Sequence, residues 1–75
     1  MEFRLPEVTN REESVVITRW HVKKNARIEK DQDIVEISAD KATFDIAAPA
    51  GGVLRKIIKT EGENARAGDI LAEIE

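Results

Sequence analysis

Apolar and polar positions alternate along short runs of this chain, and eight of these runs read as strands: Glu2 to Leu5, Ser14 to Val22, a short piece at Arg27 and Ile28, Ile34 to Ser38, Thr43 to Ala47, Gly52 to Ile58, a short piece at Ala65 and Arg66, and Ile70 to Ile74. Two of the runs mirror each other across Ala39-Asp40-Lys41-Ala42. Reading outward from that centre, Ser38 faces Thr43, Ile37 faces Phe44, Glu36 faces Asp45 and Val35 faces Ile46, so the apolar pairs share one face of a two-stranded ribbon. The pattern predicts a hairpin that presents Lys41 to solvent at its apex. Neither central residue is Gly, which favours a type I turn over the mirror-image turns typical of Asn-Gly. Glu36 opposite Asp45 is an unfavourable like-charge pair, which points either to a pairing shifted by one residue or to relief by Arg and Lys nearby.

The chain also matches itself at an offset of 37 residues, which aligns Val16 with Val53, Ile17 with Leu54, Trp20 with Ile57, Ile34 with Leu71 and Ile37 with Ile74. Asn25 then stands where the second copy has Gly62, and Asp31 where it has Gly68. Gly, Asn and Asp best tolerate positive φ, so both copies are expected to turn through a left-handed conformation at the same two places. Two quasi-equivalent four-stranded sheets, each apolar on one face, can bury those faces only against each other. The expected fold is therefore all-β, a flattened barrel or sandwich. Its pseudo-twofold puts the Lys41 hairpin at one end and the chain termini towards the other. Pro6 and Pro49 fall at strand ends, where a missing amide donor is harmless.

Composition narrows the picture. Val and Ile together number fifteen against three Leu, a balance suited to pleated strands. Seventy-five residues make a single domain, 1–75, close to the lower size limit for independent folding. With no cysteine there is neither a disulfide framework nor a thiolate site. A net charge of −3 without a basic stripe, and only Trp20, Phe3 and Phe44 able to stack on bases, argue against nucleic acid as a partner. No apolar run approaches a membrane span, and the opening residues lack the layout of a secretion signal, so a soluble intracellular protein is expected. The last strand closes the chain without a polar tail, which fits an excised domain or a stand-alone carrier.

The run Ile34-Val35-Glu36-Ile37-Ser38-Ala39-Asp40-Lys41-Ala42, followed by Pro49-Ala50-Gly51-Gly52-Val53, Glu61-Gly62-Glu63 and Ala67-Gly68-Asp69-Ile70-Leu71, resembles the lipoyl domain of 2-oxoacid dehydrogenase acyltransferase subunits. The resemblance covers nearly the whole chain. It implies that Lys41 receives lipoic acid as an amide, with Asp40 and Ala42 as the turn flanks. It further implies a swinging-arm carrier that is not an enzyme by itself. The lipoyl group would be reductively acylated at a thiamin-dependent 2-oxoacid dehydrogenase subunit, pass its acyl group to coenzyme A at the acyltransferase core, and be reoxidised by dihydrolipoamide dehydrogenase. A lipoate ligase or lipoyl transferase would install the group. The implied setting is the bacterial cytoplasm or the mitochondrial matrix, with the isolated domain monomeric and the acyl group left open. The residues agree with attachment: an exposed lysine beside Asp40 keeps its proton at neutral pH, the reverse of what a Schiff-base lysine needs.

The nearest rival is a biotinyl carrier, which shares the duplicated fold but usually flanks its lysine with methionines, where this chain has Asp40 and Ala42. An unmodified interaction module of the same fold is the second alternative, disfavoured by Asp40-Lys41-Ala42. A self-contained enzyme lacks a convergent set of reactive side chains. Asp40 reads both as a turn former and as a contact for the modifying enzyme, and Thr9 to Glu13 either as a recognition loop or as a solvated connector. His21, the only histidine, reads as a surface or packing side chain, and Trp20 as a core-edge residue. Gly51-Gly52 is expected to allow the crossing between sheets, and Glu61, Glu63, Asp69, Glu73 and Glu75 to form a solvated acidic end.

Overall fold

The computed structural model describes residues 1–7, 14–39 and 42–75. The loop expected at Thr9 to Glu13 and the turn residues Asp40 and Lys41 lie outside the described residues. The strands are β1 (Glu2–Arg4), β2 (Val15–Trp20), β3 (Arg27–Ile28), β4 (Asp33–Ala39), β5 (Ala42–Ala47), β6 (Gly52–Ile57), β7 (Asn64–Ala65) and β8 (Ile70–Ile74). All eight expected strands are present, with β7 one residue earlier than its pattern implied. They form two four-stranded antiparallel sheets, ordered β1-β8-β6-β3 and β5-β4-β2-β7. The sheets stack as a flattened sandwich and do not close into a barrel.

The duplication is visible in the backbone. Asn25 and Asp31 have φ of 72° and 70°, and their counterparts Gly62 and Gly68 both have 91°. The ladder shifts between Ile17 and Arg19 in β2 and between Leu54 and Lys56 in β6, the same place in each copy. His21 N donates to Ile34 O at 2.9 Å, and Ile58 N donates to Leu71 O at 2.8 Å.

The copies nevertheless do not each build a sheet. β3 leaves the first copy to pair with β6, and β7 leaves the second to pair with β2. The left-handed turns drive this exchange. Leu54 N donates to Ala26 O at 3.0 Å and Leu54 O accepts from Asn25 N. In the mirror arrangement Ile17 N donates to Glu63 O at 2.9 Å and Ile17 O accepts from Gly62 N at 2.7 Å. Each copy thus satisfies the turn of the other, as buried backbone requires.

The core lies between the sheets. Val15, Ile17, Ile28, Ile34, Val35, Ile37, Leu54 and Leu71 are fully buried, and no polar or charged side chain among the described residues is buried. Ile34 and Val35 are consecutive yet both inward, because the β4–β5 register shifts between Asp33 and Val35 and the extra residue turns its neighbour to the core. Trp20 sits at the rim, as expected. Its ring meets Phe3 edge-on at 6.4 Å, and its Nε1 donates to Lys59 O at 2.8 Å.

Of the carboxylates expected to form a solvated acidic end, Glu61, Glu63, Glu73 and Glu75 are exposed and Asp69 is half-buried, and four of the five also hold a partner. Glu61 accepts from Trp20 N at 3.1 Å, Asp69 from Arg66 N at 2.8 Å, and Glu75 pairs with Arg55 at 2.8 Å. Glu63 accepts from Thr60 N at 2.6 Å and Thr60 Oγ1 at 3.1 Å, which holds its carboxyl below the usual range. A carboxyl lowered by folding stabilises the fold above its unfolded pKa of about 4.3, and this contribution disappears as pH falls through the lower folded value. Glu63→Gln is therefore expected to lower the urea midpoint at pH 7, with the two proteins converging once both carboxyl states are protonated. Unfolding curves at neutral and acid pH check this.

Candidate functional site

The hairpin of β4 and β5 is positioned by its own pairing and by the core. β4 is an inner strand between β2 and β5, and its inward residues Val35, Ile37 and Ala39 are all buried. The ladder pairs Val35 with Ile46, Glu36 with Asp45, Ile37 with Phe44 and Ser38 with Thr43, the register that the alternation predicts. Ala39 pairs with Ala42, so β4 stops and β5 starts directly opposite each other. A slip of one residue would turn Ile37 and Ile46 to solvent, which makes the register costly to change.

This hairpin lies away from the termini. Ala48, just beyond β5, donates to Gln32 O at 2.8 Å, which fixes the far end of the β4–β5 pair. At that same far end Gly51 approaches Ile28 and Lys30, Gly52 approaches Glu75, and Ile74 N donates to Met1 O at 2.8 Å. A surface depression lined by Arg27 to Lys30 and Gly51 to Val53 is also at that far end.

On the outward face, Glu36 and Asp45 stand side by side as expected, but among the described residues their partners are neither Arg nor Lys. Asp45 Oδ1 lies 2.9 Å from His21 Nε2, and Glu36 accepts from Thr18 Oγ1 at 2.7 Å through its carboxylate and 3.0 Å through its backbone oxygen. Thr18 is the extra residue of the β2 bulge, which is why its hydroxyl reaches Glu36. Neither contact was legible locally. His21 and Asp45 are 24 residues apart, and only the strand order brings them together. His21 is a surface side chain, consistent with its reading from sequence.

Around the hairpin the strand faces solvent: Ala42, Thr43, Phe44, Asp45 and Ala47 are exposed. Among the described residues no group of three or more His, Cys, Asp and Glu converges to hold a metal ion. The surroundings therefore suit presentation of a side chain outward, not enclosure of a substrate.

A family model described as biotin-requiring enzyme, the biotin and lipoyl attachment family, matches residues 1–74. The chain belongs to this family. It is similar to the dihydrolipoyllysine-residue acetyltransferase components of the pyruvate dehydrogenase complex of Staphylococcus aureus, at 32% identity over 74 residues, and of Staphylococcus epidermidis, at 31% over 74 residues. These matches take in 99% of this chain and 17% of each relative, so the chain spans about a sixth of the length of the curated relatives it matches. Its fold is that of the lipoyl domain of the 2-oxoglutarate dehydrogenase complex of Azotobacter vinelandii, with a TM-score of 0.79 and 27% identity over 100% of this chain and 95% of that one.

Proposed function

We propose that this chain is one lipoyl carrier domain, residues 1–75, in which lipoate is amide-linked to Lys41 and shuttles acyl groups and reducing equivalents between the active sites of a 2-oxoacid dehydrogenase complex. The observation that carries this reading is the pairing of Ala39 with Ala42 at the end of a ladder in the expected register. By sequence, Asp40 and Lys41 are all that joins these two residues. The lysine side chain leaves from the junction of two core-anchored strands. It has four methylenes of reach and no neighbour in the sequence large enough to enclose it.

The strands supply rigidity and the lysine supplies reach. Lys41 Nζ, once its proton passes to the modifying enzyme, displaces the activating group from the lipoate carboxyl carbon and forms the amide. When attached, the dithiolane supplies the acyl-accepting and electron-accepting chemistry. The domain then holds one end of the arm, and tethering converts successive encounters into events at high effective concentration. The expected visitors are a lipoate ligase or lipoyl transferase, a thiamin-dependent 2-oxoacid dehydrogenase subunit, an acyltransferase core and dihydrolipoamide dehydrogenase. The similarity to pyruvate-complex acetyltransferases supports this set, and a cytoplasmic setting accords with bacterial relatives.

Biotin is the second reading, favoured by the description of the matching family as biotin-requiring enzyme. Parallel incubation with a lipoate ligase plus lipoate and ATP, and with a biotin ligase plus biotin and ATP, separates the two. The expected outcome is one lipoyl increment in intact mass and no biotinyl increment. Biotinylation alone would transfer the domain to the carboxylase carriers.

A further inference from the structure

The two sheet edges related by the internal duplication are treated very differently. β1 and β5 occupy equivalent edge positions in the orders β1-β8-β6-β3 and β5-β4-β2-β7. β1 is blunted: it has three residues, its ladder shifts between Phe3 and Arg4, and Arg4 is braced by Glu2 at 2.8 Å and by Gly68 O at 2.8 Å. Short length, irregular register and charge are the usual means of closing an edge to further pairing.

β5 is less protected: its one charge is Asp45, and the one shift in its ladder lies at the far end, between Asp33 and Val35 of β4. It has six residues, its register is regular from Ala42 to Ile46, and it contains neither Pro, Lys nor Arg. Among the described residues no strand pairs with its outer side. Backbone groups alternate along an antiparallel strand, and Ala48 N is turned to Gln32 on β4. The N–H and C=O groups of Thr43, Asp45 and Ala47 consequently point away from β4, a row of donors and acceptors for one more strand.

The charges beside this edge say what the added strand should carry. Glu36 and Asp45 are directly opposed on the outward face. Thr18 serves the Glu36 carboxylate with a neutral hydroxyl, and Arg19, across the ladder from Glu36, makes no ion pair with it. Among the described residues His21 is the side chain that pairs with Asp45, through a 2.9 Å contact. Asp45, on the edge strand itself, therefore has no Lys or Arg partner among the described residues. A cationic side chain on an incoming strand, opposite Asp45, would offset a like-charge pair that the domain itself leaves in place.

We infer that the free edge of β5 is a strand-addition site for an extended segment of a partner protein, with alternating basic and apolar residues and a Lys or Arg opposite Asp45. Such a segment takes its affinity from the main-chain groups of Thr43, Asp45 and Ala47, and its register from the charge. Running along β5 it leads to Ala42, and so to the end of the strand from which Lys41 departs. The inference is independent of which group Lys41 receives, since the edge and its charges exist in the unmodified chain.

The test is amide hydrogen exchange of the chain titrated with a ten-residue peptide of alternating Lys and Val, and with its Glu and Val counterpart. Exchange at Thr43, Asp45 and Ala47 is expected to slow about tenfold with the basic peptide near saturation, with Glu2 to Arg4 unaffected. Asp45→Asn is expected to weaken the basic peptide about two- to fivefold. Thr43→Pro removes one outward N–H at a position where an edge strand tolerates proline, and is expected to abolish protection of Asp45 and Ala47 while the fold is retained. Should that variant not fold, the alternating pattern in the parent and the Asp45→Asn titration still decide. No protection, equal protection with the acidic peptide, or protection that rises with protein concentration without peptide would overturn the inference, the last by making a second copy the occupant.

Discussion

Leu54→Ala is expected to destabilise the domain by about 2–5 kcal/mol, the usual range for deleting a fully buried leucine side chain from a core that collapses incompletely. Leu54 is 0% exposed, and its backbone holds the Asn25 turn of the other copy through both its N–H and its C=O. Its side chain and its peptide groups therefore stabilise different parts of the interlace. At roughly 0.05–0.15 kcal/mol per residue, a chain of this length has a total stability of about 4–11 kcal/mol, so the loss is a large fraction of the whole. Ile17, its counterpart across the duplication, is equally buried and holds the Gly62 turn in the same way, so Ile17→Ala should cost a similar amount. Urea unfolding of both variants measures this. A loss below about 1 kcal/mol in either would show that the pivots of the two sheets are not where the core energy resides.

Gly52→Ala is the second change with a large expected effect, and its cause is lack of space. A Cβ at Gly52 would stand 2.5 Å from the Glu75 carbonyl oxygen and 3.0 Å from Ile74 Cγ2. The first is backbone, and it is fixed because Val53 and Glu75 exchange two hydrogen bonds of 2.9 Å. Relief requires β6 and β8 to separate at their shared end, at a cost of about 1–3 kcal/mol or more. Gly51 provides the control. Its added Cβ would meet nothing closer than the Ile28 carbonyl oxygen at 3.5 Å, ordinary contact, so Gly51→Ala should stay within about 0.5 kcal/mol of the parent. Equal stabilities for the two alanine variants would contradict the packing described at this strand crossing.

Much of this architecture is legible in the amino-acid order, for identifiable reasons. The β4–β5 register follows from alternation about a two-residue centre, because a slip would expose Ile37 and Ile46. The left-handed turns at Asn25 and Asp31 follow from their alignment with Gly62 and Gly68, since few residue types share that backbone freedom. The exchange of β3 and β7 between the copies is not legible, because two-residue strands have no periodicity and their partners are chosen by turn hydrogen bonds. The same holds at the hairpin. Glu36 against Asp45 could be read from the register, but their actual partners, Thr18 and His21, are set by a bulge and by strand order. Glu63 and Asp69 read as solvated charge in the sequence; they also accept turn N–H groups, which depends on backbone direction and is not legible from residue type.

In the proposed carrier a single lysine at the β4–β5 junction holds the prosthetic group. The most direct test is peptide mapping by mass spectrometry after lipoylation, on the parent chain and on Lys41→Ala, with thermal unfolding to verify that both are folded. The expected result is one lipoyl increment confined to the peptide containing Lys41, and none on the alanine variant at an unchanged unfolding temperature. An increment on any other lysine, or one that survives in folded Lys41→Ala, would contradict the account.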